Sequence, residues 1–428
     1  MNSVFRWITG LAFVTLNATA SAAPEPAAPV VESPPPWIRP TFELRLRAEL
    51  VDEQARQDFR ERDRDRAIAY TMRTRLGLET RTWNGLQAFA ELEHTEALDR
   101  DSYQGASAQG LGRRKSIVAD PESNELNQAW IKYSNERFNI KAGIQRLILD
   151  NARFVGNVGW RQNEQTYDGV TLNYQPIDNM NVFYGYLYNV HRIFGSQTAK
   201  NKSQREFDSS SHLVNVSYQA MPSLKLTSYA YLLDLENEAL GDLNSNNTYG
   251  ASLTGTLPVG PTSFSYRLEY ARQQDAADNA TSYTTDYLHG YGSVKYKIAS
   301  FGVGYEKLGA SNGVGFNTPL ATLHAFNGFA DLFLDTPGVG LQDIYYELGF
   351  QLPYKGQLSL AYHDYVAEDS SMDLGYEHNV VLSFPLKWGL RALFKGAFYQ
   401  AESRGFRDTK KMIFQLEYTL PGPAAAKK

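Results

Sequence analysis

The sequence predicts an all-β fold, a transmembrane antiparallel β-barrel of about 18 strands with short periplasmic turns and long extracellular loops. Three observations carry this expectation. Segments of strict alternation recur to the end of the chain, and residues 180–190 (MNVFYGYLYNV) show it most clearly. Met180, Val182, Tyr184, Tyr186, Tyr188 and Val190 share one apolar and aromatic face, because successive strand side chains point to opposite sides. Asn181, Phe183, Gly185, Leu187 and Asn189 make the other, mixed face. Second, short and long connections between these segments alternate. Third, no apolar run after the leader approaches the ~18 residues of a membrane helix, yet the 428 residues include 27 tyrosines and 22 phenylalanines, as aromatic girdles at two membrane interfaces require.

Taken in order, the chain opens on a processing signal, residues 1–22. Arg6 gives a thin positive region, residues 7–16 (WITGLAFVTL) a short apolar core, and Ala20-Ser21-Ala22 a small-residue cleavage site. No cysteine follows, so the product is not a lipoprotein. A proline-rich spacer (residues 23–40) is too stiff and polar to join a core. The chain is thus exported, and the expected location is the outer membrane of a Gram-negative bacterium. Residues 41–420 form the barrel and residues 421–428 (PGPAAAKK) a tail.

Within 41–420 the short connections are 81–85 (RTWNG), 134–137 (SNER), 176–179 (PIDN), 220–223 (AMPS), 258–262 (PVGPT), 299–300, 353–356 (PYKG) and 385–388 (PLKW). Their Gly, Pro, Asn and Asp content suits hairpin turns. The long ones are polar stretches, with 99–123, 146–166 and 308–340 the most extended. Nine long and eight short connections imply an even strand number with both termini on the short-turn side.

The strands sort their residues by face. In the first, Phe42, Leu44, Leu46, Ala48 and Leu50 point out while Glu43, Arg45, Arg47 and Glu49 point in. Arg73, Arg75 and Glu79 oppose Met72, Leu76 and Leu78, and Phe264, Tyr266, Leu268 and Tyr270 oppose Ser265, Arg267 and Glu269. If the apolar face meets lipid, the charged face meets the lumen. Glu91, Glu93, Lys132 and Lys141 extend the inward set, in which arginines are nearly matched by glutamates. Such charges either pair across the wall or set a transverse field that selects the charge of a solute.

Two connections carry more than a loop needs. Residues 149–169 hold Asp150, Arg153, Arg161, Glu164 and Asp168 among glycines and asparagines, with Phe154 and Trp160 as apolar anchors and Arg146 just before. Glycines let such a loop fold back and aromatics pin it to a wall, as a constriction requires. Residues 313–341 are too apolar for an exposed loop and are expected to cap the mouth or tuck into the lumen.

Other classes find little support. Cysteine is absent, which excludes disulfides and thiolate metal sites, and a net charge of −5 argues against nucleic acid. Ser211-His212 and His363-Asp364 are strand neighbours, so they point to opposite faces and form no catalytic dyad. No zinc-type histidine motif or phosphate loop appears, and the arginines within RERDRDR argue against calcium. No enzyme activity, cofactor or metal is therefore expected. A membrane hydrolase and a plugged adhesin-like barrel are the alternatives to a channel.

Four segments, TMRTRLGLET (71–80), ELNQAWIKY (125–133), LDNARFVGNVGWRQNEQTYDG (149–169) and FNTPLATLHAFNGFAD (316–331), resemble the alginate-export family of outer-membrane porins. The resemblance implies a monomeric eighteen-stranded channel whose arginine-rich constriction passes a polyuronate. The expected function is passive diffusion or export of a hydrophilic anionic solute. The pore-lining set is Arg45, Arg47, Arg73, Arg75, Lys132, Lys141, Arg146, Asp150, Arg153, Arg161, Glu164, Asp168 and Arg267. Expected partners are outer-membrane lipid and lipopolysaccharide, the solute, and the barrel-assembly machinery.

Overall fold

The computed structural model describes residues 36–55, 64–105, 115–195, 205–236 and 243–420. Expectations for the leader, most of the spacer and the C-terminal tail lie outside the described residues. The first nine strands are β1 (Ile38–Gln54), β2 (Ala67–Thr80), β3 (Leu86–Ala97), β4 (Ser123–Ser134), β5 (Phe138–Gln145), β6 (Thr166–Tyr174), β7 (Met180–His191), β8 (Glu206–Met221) and β9 (Leu224–Leu233). The second nine are β10 (Asn246–Val259), β11 (Thr262–Asp275), β12 (Thr284–Tyr296), β13 (Ala299–Leu308), β14 (Leu341–Gln351), β15 (Gln357–Val366), β16 (Asp373–Pro385), β17 (Leu390–Ala401) and β18 (Asp408–Thr419).

Each strand pairs antiparallel with its sequence neighbours, and β1 closes the ring on β18, from Glu43↔Thr419 to Gln54↔Asp408. Closure leaves no edge whose backbone groups lack partners, the condition for spanning lipid. Short turns follow the even-numbered strands and long connections the odd-numbered ones. β1 starts at Ile38, slightly ahead of the expected Thr41.

Burial follows the two-residue period, with the soluble-protein rule inverted. Arg45, Arg47, Arg73 and Glu93 are buried inside, whereas Leu76, Leu78, Leu92 and Ile131 are exposed outside. That inversion is what lipid contact requires. Trp83, Tyr133, Tyr174, Tyr296, Tyr354 and Trp388 are exposed at the short-turn end, where an aromatic girdle belongs.

Two local expectations are corrected. The turn placed at residues 299–300 lies at Lys297-Ile298, because Lys297 takes a left-handed φ of 50° and Ala299 already pairs with Tyr296. In β7, Tyr188 is an extra residue against β6, where Asp168↔Asn189 is followed by Gly169↔Leu187. Such a bulge inverts the faces beyond it. Val190 is consequently buried inside rather than facing lipid, and Asn189 is not on the lumen wall.

The apolar core lies within the barrel. Residues 146–165 and 309–340 turn inward, and their Phe154, Val155, Phe316, Leu320 and Phe333 pack against inward Tyr167, Tyr229, Tyr231, Tyr287, Tyr365 and Tyr399. The second segment carries a short hairpin (Ala310–Ser311, Val314–Gly315) and a 3-10 turn (Leu323–Ala325), and it tucks into the lumen as its composition predicted.

Candidate channel constriction

β5 is only eight residues long, so the chain leaves the wall midway and residues 146–165 must cross the lumen. Left-handed Asp150, Ala152 and Val158 bend the segment, and a Leu149 N–H donated to the Val155 carbonyl (3.0 Å) closes its first turn. Phe154 anchors it against Tyr229 and Tyr287, with ring centroids 5.2 and 5.3 Å away. Trp160 stacks on His324 at 4.6 Å, with Arg47 and Lys395 4.3 and 3.8 Å from its centroid. Enclosed in this way, it is an anchor and not a platform for a solute.

Arginines of β1 and β2 hold the tip of this loop by its carbonyls. Arg45 donates to Gly159 O (3.1 Å), Arg47 to Trp160 O, and Arg73 to Arg161 O (3.3 Å). Each also meets carboxylates. Arg45 pairs with Glu417 (2.7 Å), Arg47 with Asp120 (3.1 Å), Arg73 with Glu43, and Arg75 with Glu93 and with Glu164 (3.3 Å). Arg146 grips Glu164 through Nε at 2.8 Å. Burial alone would push the Glu164 carboxyl up, but Arg75 and Arg146 outweigh it and hold the group at about 2.

The second loop docks on the first. Val155 and Leu320 form a bridge, Gly156 N–H donates to Leu320 O (2.8 Å), and Thr322 N–H donates to Ala152 O (3.0 Å). Arg161 spans both loops and the wall through Glu49 (3.1 Å) and Asp331 (2.9 Å). Burial disfavours its charge, yet Glu49, Asp120 and Asp331 raise its pKa. Asp331 also takes Lys411 (2.6 Å) and the Nδ1–H of His324 (2.6 Å). Burial drives His324 neutral, well below the ordinary imidazole range, and leaves Nε2 free to accept from Lys395 at 3.1 Å. Arg153 pairs with Glu306 (2.8 Å), tying the first loop to β13.

The remaining expected residues are scattered. Lys132 and Lys141 face each other across β4 and β5, with Trp130 5.6 and 5.0 Å from their ammonium nitrogens. Neither forms an ion pair among the described residues. Arg267 pairs with Glu269 (2.7 Å) on β11, and Asp150 accepts from Asn215 (2.7 Å). Asp168 does not line the lumen. It shares the outward face of β6 with exposed Val170 and Tyr174 and pairs with His191 at 3.1 Å.

Two cavities adjoin the loops. One of about 560 Å³ opens beside Arg39, Glu79, Phe89, Trp130 and Arg146. The other, about 310 Å³, lies beside Arg267, Phe326, Asp343, Tyr345 and Glu347. Asp343, Glu347, Asp331, Lys395 and Lys411 are lumen charges outside the expected set. Lys395 and Lys411 follow the same two-residue period as their neighbours, so strand alternation in β17 and β18 was the available signal.

A closed barrel with an apolar outer belt, and a lumen crossed by two inward loops and lined by charge, defines a channel of the bacterial outer membrane. The chain belongs to the Gram-negative porin family, whose model matches residues 10–381. It is accordingly a channel, not an enzyme. No curated protein matches it in sequence. Among solved structures it is similar to OccAB4 of Acinetobacter baumannii (15% identity, 89% of this chain and 97% of that one, TM-score 0.67). It is similar also to OpdQ of Pseudomonas aeruginosa (16%, 90% and 98%, TM-score 0.68). OpdK of Pseudomonas aeruginosa, solved with vanillate, matches at 13% identity over 89% of this chain and 98% of that one (TM-score 0.66). The resemblance of the long motifs to alginate exporters therefore holds at the level of porins and not specifically of that subfamily.

Proposed function

We propose that this porin passes small hydrophilic anions, carboxylates above all, into the cell by passive diffusion. The observation that carries the reading is the distribution of unpaired charge. The arginines of β1 and β2 are neutralised by carboxylates and by the loop they hold. The inward cations without an ion pair among the described residues include Lys132, Lys141 and exposed Arg391, all near the short-turn mouth. Cations left free along a narrowed lumen favour anions there.

Two loops packed across the lumen favour a small solute. A uronate is the narrower candidate, and an oligouronate would have to thread between the loops as a single extended chain. OpdK, a similar porin, was solved with vanillate, a carboxylate-bearing molecule, and this supports the reading. A second reading has its own support: Asp343 and Glu347 on β14 face the smaller cavity, which would suit a solute that also carries an amine.

The zero-current potential across a planar bilayer under a salt gradient tests the first reading. Anion preference is expected, with current block by glucuronate. Cation preference contradicts it, and block by a zwitterion but not by glucuronate favours the second reading.

A further inference from the structure

At the short-turn end of the lumen, β3, β4 and β5 gather two aromatic rings and two ammonium groups. Phe89 and Trp130 belong to the inward series of their strands, with ring centroids 5.5 Å apart and planes tilted by 39°. The core cluster formed around the inward loops contains neither ring. Trp130 lies opposite Gly143 in the register, so cover for a residue without a side chain explains the indole's presence. It does not explain the lysines. Lys132 and Lys141 are direct cross-strand partners, an arrangement in which like charges destabilise a sheet. Both ammonium groups sit within cation–π range of Trp130, at 5.6 and 5.0 Å from its centroid. The indole N–H is buried and has no acceptor, as is also true of the Thr41, Thr95 and Ser123 hydroxyls in the neighbouring wall, and a buried donor of this kind is open to a ligand oxygen.

We propose that these groups form an exit subsite for a carboxylate carried on a ring. The carboxylate sits between the two ammonium groups, relieving their repulsion. The ring lays its apolar face against Phe89 and Trp130, and the indole N–H donates to a ring or carboxylate oxygen. The adjacent wall presents Asn139 and Asn173, joined by a 3.4 Å hydrogen bond, whose remaining amide valences suit hydroxyl groups. A sugar acid and an aromatic acid share the required chemistry. The site rests on the anion reading above and lies on the periplasmic side of the two loops, beside a cavity that Phe89 and Trp130 line together with Arg39, Arg146, Glu79 and Glu91.

The test is single-channel current block of the full-length barrel in planar bilayers, with glucuronate, benzoate and acetate added to each side in turn. Ring-bearing acids are expected to block from one side at concentrations about tenfold below acetate. Removing both charges in K132Q/K141Q should raise the blocking concentration by about tenfold or more, since two charge-assisted contacts are lost. K132R/K141R should retain block, W130F should weaken it by the loss of the indole donor, and W130L should lose it. Should W130L fail to assemble, the lysine pair carries the test, since its removal relieves a repulsion. Block by glucuronate alone assigns a sugar acid, and block by benzoate alone an aromatic acid. Block equal in wild type and K132Q/K141Q, in an anion-selective channel, overturns the site and leaves the anion reading intact. A cation-selective wild type overturns that reading first.

Discussion

Arginines on the lumen face of β1 and β2 and lysines on the lumen face of β4 and β5 obey the same two-residue period, yet they do different work. Arg45, Arg47, Arg73 and Arg75 are buried, each bound to a carboxylate and most of them to a carbonyl of the inward loop. Lys132 and Lys141 are half-buried, unpaired among the described residues, and aligned with each other. The difference follows from what lies above them. The tip of residues 146–165 lands on β1 and β2, dries their charges and turns guanidinium groups into mounts. Among the described residues, the first loop reaches the cavity beside Trp130 through Arg146, which Glu164 and Glu91 engage, and both lysines are left without a carboxylate. Pointing inward is therefore not the same as facing solute.

The sharpest way to break this comparison is Arg73→Ala. It strips a fully buried arginine from Glu43 and from the Arg161 carbonyl, and should cost roughly 3–5 kcal/mol, read as lower thermal stability of the detergent-folded barrel. Asp331→Asn should cost about 2 kcal/mol, because Arg161, Lys411 and His324 converge on that carboxylate. Single-channel recordings should then show a larger, noisier conductance as the two loops part.

Lys132→Gln with Lys141→Gln should do the reverse of Arg73→Ala. Stability should hold or rise by about 0.2–1 kcal/mol as a like-charge pair is removed, while anion preference falls. The smallest effect is expected from mild acid. Glu164 is held at about 2, below the ordinary ~4.3 of a glutamate. Its contribution is therefore complete above ~4.3 and lost only as pH falls towards about 2. The Glu164 anchor should hold from pH 7 to about 5, read as unchanged single-channel noise from the first loop, with loosening of that loop only in stronger acid.

Much of the fold was legible because a barrel repeats one rule. Alternation assigned the faces of β1, β2 and β11, and Gly, Pro and Asn placed most turns. Where it failed, a local feature broke the period. The Tyr188 bulge moved Val190 inside, and Lys297 took the left-handed position that Ala299-Ser300 was expected to supply. The site was less legible for a different reason. Which arginines are covered depends on contacts such as Arg45 to Gly159, 114 residues apart, and no local period encodes them. Lys395 could be placed inside from its strand, but its partners His324, Trp160 and Phe329 come from two separate loops.

The most direct test compares zero-current potentials of two variants in the same salt gradient, Arg45→Gln with Glu417→Gln and Lys132→Gln with Lys141→Gln. Arg45 and Glu417 are changed together because they form an ion pair, so replacing both by neutral amides removes no net charge and should leave selectivity near wild type. The lysine pair variant should move the potential towards zero. A collapse of anion preference in the Arg45–Glu417 variant with none in the lysine variant would contradict the account, returning selection to the arginine wall.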